Sequence, residues 1–271
     1  VSETIDENED KMPLLDHLVE LRTRLMYAFG GFIIAFFICF YFANPMFDFL
    51  VNPLAGLWEG QANKTMIFTA LHEKFFTNIK IAFFAAAFIS FPIVSGQIWM
   101  FVAPGLYKKE KKAFLPFLIA TPLLFLLGAS MVYYFVMPVA WQFFASFESV
   151  GGEGTLPIEM VPKVGEYLSL VMRLIFAFGI SFELPVLITL LARVGIVGSK
   201  GLRKKRRYAV VIAFIAAAIL TPPDPLSQIS LALPIIFLYE VSIWSAMLIE
   251  RQRKKEAEAE EEEDEDEDDD V

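Results

Sequence analysis

From Tyr208 to Ile249 the chain reads "YAVVIAFIAAAIL", then "TPPDPLSQ", then "ISLALPIIFLYEVSIWSAMLI". Two apolar runs meet at a proline-rich turn too short to hold a separate domain, so the runs form a helical hairpin. Thirteen residues from Tyr208 to Leu220 give about 20 Å of helix, less than the ~30 Å hydrocarbon core of a bilayer. The first arm is therefore a re-entrant segment or a span in a locally thinned membrane, a mismatch of modest cost. The thinned span is the preferred reading.

Four longer runs precede the hairpin: Leu25 to Ala43, Ile79 to Val102, Phe114 to Pro138 and Tyr167 to Ala192. Each exceeds or approaches the ~20 residues a full crossing needs. Across the 271 residues, 56% are apolar and 15% aromatic, with a mean hydropathy of +0.53, a composition of membrane proteins rather than soluble domains. The net charge of −9 misrepresents the body. Thirteen of the 32 acids lie between Glu256 and Asp270, which leaves 19 acids against 23 Lys and Arg elsewhere.

Basic residues set the orientation expected for these spans, because retained loops carry Lys and Arg. They cluster before the first run, between the second and third, between the fourth and fifth, and after the sixth; 18 of the 23 fall there. The expectation is an all-α, polytopic membrane protein with six transmembrane helices, the last two short, forming a concave bundle with both termini in the cytoplasm. The exported loops, Asn44 to Asn78 and Val139 to Glu166, mix aromatics with Pro and Gly and are expected to form a cap. "NPMFDFLVNPLAGLWEG" within the first reads as an interfacial helix. Residues 1–11 make an acidic N-terminal segment, 12–250 the membrane domain, and 251–271 a basic then acidic tail. That tail repels itself and buries nothing, so it is expected to be disordered.

Catalytic chemistry finds little support. His17 and His72 are the two histidines and Cys39 the one cysteine, which gives neither a metal set nor a disulfide framework. "LHEKF" at Leu71 to Phe75 begins like a zinc-protease motif but lacks its second histidine. No enzyme, no cofactor, no metal and no nucleic acid partner is expected.

Polar groups at apolar depth carry the information instead. Glu183, in "ISFELPVL", is costly in mid-span, by about 2.5–3.5 kcal/mol on insertion scales; it either makes a helix-packing hydrogen bond or faces a wet cavity. Glu240 in the sixth run is a second such acid. Thr221, Asp224 and Gln228 surround the proline-rich turn, as turn chemistry or as an edge where a polar partner helix docks. Glu20 in "HLVELRTRL" and Glu110 in "YKKEKK" each stand among cations. They either pair locally, Glu20 with Arg24 at i,i+4, or receive guanidinium groups from a ligand through bidentate bonds that a lysine cannot reproduce.

"HLVELRTRL", "WMFVAPGLYKKEKK", "FGISFELPV" and "LRKKRRYAVVIAFIAAAILTPPDPLSQ", in that order between Met12 and Ile249, resemble the TatC family, the receptor component of the twin-arginine protein translocase. The resemblance implies a bacterial inner-membrane receptor for paired-arginine signal peptides of folded cargo. It would work in the lipid bilayer with the single-span partners TatA and TatB, as an oligomer with TatB, and use the proton-motive force. By motif, Glu20 and Glu110 would face the signal-peptide arginines, with Arg22 and Phe101 in the same region. Glu183 would be the intramembrane acid, Thr221 and Gln228 the edge that docks TatA or TatB, and Pro53 and Asp224 would belong to the exported side. Lys111 and Lys112 stand where the family leads one to expect arginine, which keeps the charge but not the planar fork. A rival reading, a proton-coupled small-solute transporter, would also place acids in spans, but no inverted repeat is evident.

Overall fold

The computed structural model describes residues 14–59, 64–102, 111–152, 154–193, 195–221 and 225–269. Glu110 and Asp224 therefore lie outside the described residues. The described chain is built of helices in this order: α1 Leu14–Tyr41, α2 Ala43–Leu57, α3 Glu73–Val102, α4 Lys111–Met131, α5 Met137–Ala145, α6 Val164–Phe182, α7 Leu184–Arg193, α8 Ser199–Lys204, α9 Arg206–Leu220 and α10 Pro225–Asp269. Among the described residues, five stretches are long and apolar enough to cross a membrane: Leu18–Tyr41, Glu73–Ile98, Phe117–Ala145, Val164–Arg193 and Ser227–Gln252. The 15 residues of α9 supply the sixth apolar run, about 22 Å of helix. The apolar part of α10 runs for 26 residues, so the shortness falls on α9.

The chain divides into two compact units, one made of the described parts of Val1–Phe47 and Phe75–Pro122, the other of Asp48–Lys74 and Leu123–Val271. In the first unit α1 and α3 run antiparallel. Ala35 and Cys39 pack on Ala82 and Ala86, with Phe32, Phe36 and Met46 around them. Small residues at this contact let the two helices approach closely, the usual device where no hydrophobic effect drives association. A Cβ on Gly31 would meet Ile93 at 3.4 Å.

In the second unit α4 and α6 approach closely at two glycines. A Cβ on Gly128 would lie 2.7 Å from the Phe178 carbonyl oxygen, and one on Gly179 would lie 2.5 Å from the Phe125 ring. Phe125 and Phe178 are themselves almost fully buried. Glycine alone fits both positions. Two prolines shape the long spans. The third run does not end at Pro138: the helix passes through a π-helical turn, Val132–Val136, and continues as α5 to Ala145. Proline lacks the N–H and crowds the carbonyl four residues back, and a widened turn ahead of it relieves both problems. The fourth run breaks at Glu183, two residues before Pro185, where the Glu183 N–H reaches back to the Ile180 carbonyl at 3.0 Å.

After α7, Gly195 takes φ +83°, the left-handed conformation that ends many helices. Next in the chain, α8 packs on α10 through Leu202, Ile243 and Ala246, all buried, with Ala192 of α7. Beyond the membrane segment α10 stays helical to Asp269, where charge repulsion alone predicts an unstructured tail. From Arg251 to Asp269 there is neither Gly nor Pro, and Glu, Ala, Lys and Arg are strong helix formers.

Candidate functional site

Glu20 and Arg24 lie one turn apart on α1. The Arg24 guanidinium donates through both Nε (3.4 Å) and Nη2 (3.1 Å) to one oxygen, Glu20 Oε1. Its Nη1 contacts Met100 Sδ at 3.5 Å in the last turn of α3. Arg24 thus ties the start of α1 to the end of α3, next to Phe101, which is half-buried, while Arg22 is exposed. The other Glu20 oxygen, Oε2, is screened from solvent and has no hydrogen-bond partner among the described residues. An acceptor that has given up water and gained no donor costs about 1–3 kcal/mol.

Glu183 is buried, at 8% exposure. It occupies the break between α6 and α7, with its carbonyl accepting from the Leu187 N–H at 2.9 Å. The helix is interrupted two residues before the proline, and the acid sits at that break.

Thr221 and Gln228 converge on the C-terminal end of α9. The Thr221 hydroxyl and N–H both donate to the Ala217 carbonyl, at 2.8 and 2.9 Å, and Gln228 Nε2 donates to the Phe214 carbonyl at 3.3 Å. Both side chains are thus bonded to backbone carbonyls of the short helix, fastening the turn to its last two turns. Glu240 lies on α10 and accepts from Arg206 Nη2 at 2.6 Å, fastening the start of α9.

Pro53 sits inside α2, where its missing N–H leaves the Phe49 carbonyl without a helical donor. The Tyr133 hydroxyl fills that role at 2.8 Å, and the Tyr133 ring stacks on Phe49 at 4.4 Å with an interplanar angle of 4°. Tyr167 donates to the next carbonyl, Leu50, at 3.1 Å.

The loops expected on the exported side are stitched together by groups that the sequence does not single out. Glu73, the acid of "LHEKF", accepts from the Thr69 N–H at 2.8 Å and from the Gly165 N–H at 3.1 Å. Lys64 Nζ donates to Glu148 at 2.7 Å, and the same carboxylate accepts from the Met160 N–H at 2.8 Å. Ile67 pairs with Lys163 in a parallel bridge. An acid at the first position of a helix is the one local signal that marks Glu73 as a capping group, since the spacing from Thr69 is one residue longer than that of a capping box.

Long apolar helices, an intramembrane acid at a helix break and a cation-flanked carboxylate at the end of a helix pair define a polytopic helical membrane protein whose polar groups gather at helix ends and breaks. The family described as "Sec-independent protein translocase protein (TatC)" matches residues 16–234. The chain belongs to the TatC family, and so is a component of a protein translocase and a multi-pass protein of the bacterial inner membrane. It is 51% identical to the Sec-independent protein translocase protein TatC of Magnetococcus marinus over 245 residues, 90% of this chain and 88% of that one. Identity is 48% with the protein of the same name from Rickettsia prowazekii, over 88% of this chain and 94% of that one, and 39% with that of Escherichia coli, over 87% and 88%. A crystal structure of a twin-arginine translocase receptor, TatC, superposes with a TM-score of 0.73 at 36% identity, covering 86% of this chain and 99% of that one.

Proposed function

We propose that this chain is the signal-peptide receptor of a twin-arginine translocation system, with both termini in the cytoplasm. The observation that supports it most directly is the state of Glu20. Arg24 engages one carboxylate oxygen and fixes the group against α3, while the other oxygen is screened from water and has no donor among the described residues. An incoming guanidinium gains a charge-assisted bond there without again stripping water from the acceptor. Glu110, which falls between α3 and α4 in sequence, supplies the second acid, and Arg22 and Phe101 border the guest. A guanidinium presents two parallel N–H donors where an ammonium presents a point charge, which favours arginine pairs over lysine pairs.

The hydrophobic part of the signal then meets the break at Glu183. TatA and TatB helices dock along the end of α9 near Thr221 and Gln228, whose bonds to backbone carbonyls keep that end ordered while leaving acceptor oxygens for a partner's polar side chain. Asp224 lies between those two in sequence and belongs to the exported side. Pro53, through Tyr133, holds α2 in place on that side. Folded cargo crosses at the expense of the proton-motive force.

Capture of immobilised peptides by the purified chain tests the reading. A peptide carrying Arg-Arg should be held at least about tenfold more tightly than its Lys-Lys twin, the equivalent of ~1.4 kcal/mol, and Glu20→Ala should abolish most of that preference. Equal retention of the two peptides by the unaltered chain would overturn direct guanidinium recognition.

A further inference from the structure

Arg173 lies within the Val164–Arg193 membrane segment, yet it is exposed. Its neighbours Val171, Met172, Leu174 and Ile175 all turn inward. Seven residues further along, Ile180 is 58% exposed, and seven residues back Glu166 is exposed, so the three mark one outward stripe of α6. Nε donates to the Ser169 carbonyl at 3.4 Å; among the described residues the guanidinium makes no other hydrogen bond and no ion pair. The acid on the same stripe, Glu166, is bridged to Lys163 at 3.4 Å, and Glu183 is buried ten residues away.

Orientation and depth identify what the charge meets. Helical side chains lean toward the N-terminus, and the bond to Ser169 directs this one a full turn that way. Arg173 is nine residues from Val164, about 13 Å of rise. The 30-residue segment, interrupted at Glu183, carries about 45 Å of rise along its two parts, more than the ~30 Å hydrocarbon core, and Arg173 falls in its N-terminal half. A long side chain leaning toward the N-terminal end brings its charged head toward the headgroup layer on that side.

We propose that Arg173 is a binding site for the phosphate of an anionic phospholipid in the leaflet at the N-terminal end of α6. The planar fork gives a phosphate two parallel donors. The apolar residues of the stripe, such as Ile180, lie along the acyl chains below.

The test uses the full chain in neutral detergent, with phosphatidylglycerol, phosphatidylcholine or inorganic phosphate added, read by thermal melting and by lipid adducts in native mass spectrometry. Phosphatidylglycerol should raise the melting temperature more than phosphatidylcholine and leave one extra retained adduct, and inorganic phosphate should do neither. Arg173→Gln should remove the extra adduct and shrink the melting difference between the lipids, since the basic loops keep their own preference for anionic lipid, and Arg173→Lys should keep part of the lost effect. Retention of the full phosphatidylglycerol effect by Arg173→Gln, the outcome expected if the guanidinium serves a partner helix's acid, overturns the assignment. So does an unaltered chain that does not distinguish the two lipids, and so does an equal effect from inorganic phosphate.

Discussion

The Tyr133 hydroxyl donates to the carbonyl oxygen of Phe49 at 2.8 Å, and Phe49 is the residue whose acceptor Pro53 strands four positions later. A proline and a tyrosine 80 residues apart in sequence are therefore one structural device. Tyr133→Phe should keep the ring stacking and lose only the bond, at about 1–2 kcal/mol. In a Pro53→Ala background the restored N–H supplies the carbonyl from within the helix, and the same change should cost measurably less. Thermal melts of the four proteins in detergent give the coupling; strict additivity would separate the two residues.

Glycine at 128 is demanded by the backbone of another helix rather than by a flexible side chain. Gly128→Ala places a methyl group 2.7 Å from a carbonyl oxygen, so α4 and α6 must part. The expected loss is about 1–3 kcal/mol, as for overpacked cores, whereas Gly30→Ala, with nothing within 4 Å of its Cβ, should be neutral or slightly stabilising through helix propensity. Comparing the yield and melting temperature of the two variants checks the contrast.

The hydrogen bond from Lys64, followed by that from the Met160 N–H, holds the Glu148 carboxyl below its ordinary value of 4.5. A carboxyl whose folded-state pKa is depressed stabilises fully above the unfolded value and loses that contribution as pH falls through the folded one. The melting-temperature gap between the natural chain and Glu148→Gln should therefore be constant from pH 7 down to about pH 5 and close as the medium is acidified further. A gap that persists undiminished to about pH 3 would mean that the charge on Glu148 contributes nothing.

Recognition and passage should separate genetically. Glu183→Ala removes the acid at the break between α6 and α7 without touching the α1–α3 end, so Arg-Arg peptide capture should survive while export of a folded reporter falls at least about tenfold, a barrier change of ~1.4 kcal/mol. Unchanged export would remove Glu183 from the transport step; loss of peptide capture as well would show that the break also shapes the recognition site.

The spans were legible because apolar length alone marks them: all five described helical stretches long enough to cross contain or overlap a run visible in the sequence. Glu20 with Arg24 was legible for an equally local reason, i,i+4 spacing; the break at Glu183 was not, because an uninterrupted apolar run from Tyr167 to Ala192 reads as one helix. The π-helical turn before Pro138 was not, since a proline near the start of a new helix and one that ends a helix look alike in sequence. Nor were the clamps at Glu73 and Glu148. Glu73 and Gly165 are separated by 92 residues and Lys64 and Glu148 by 84, and loops carry no period from which a register could be read. "LHEKF" illustrates the difficulty: the search for a second histidine draws attention from the capping role its glutamate performs.

The length of α10 reaches beyond the bilayer question. Its 45 residues make a rod of about 67 Å, against roughly 40–45 Å for a membrane with both headgroup layers. The 17 helical positions after Gln252, roughly 25 Å of rise, therefore cannot be housed in the bilayer along with the membrane segment, and the C-terminal part of the rod projects beyond it.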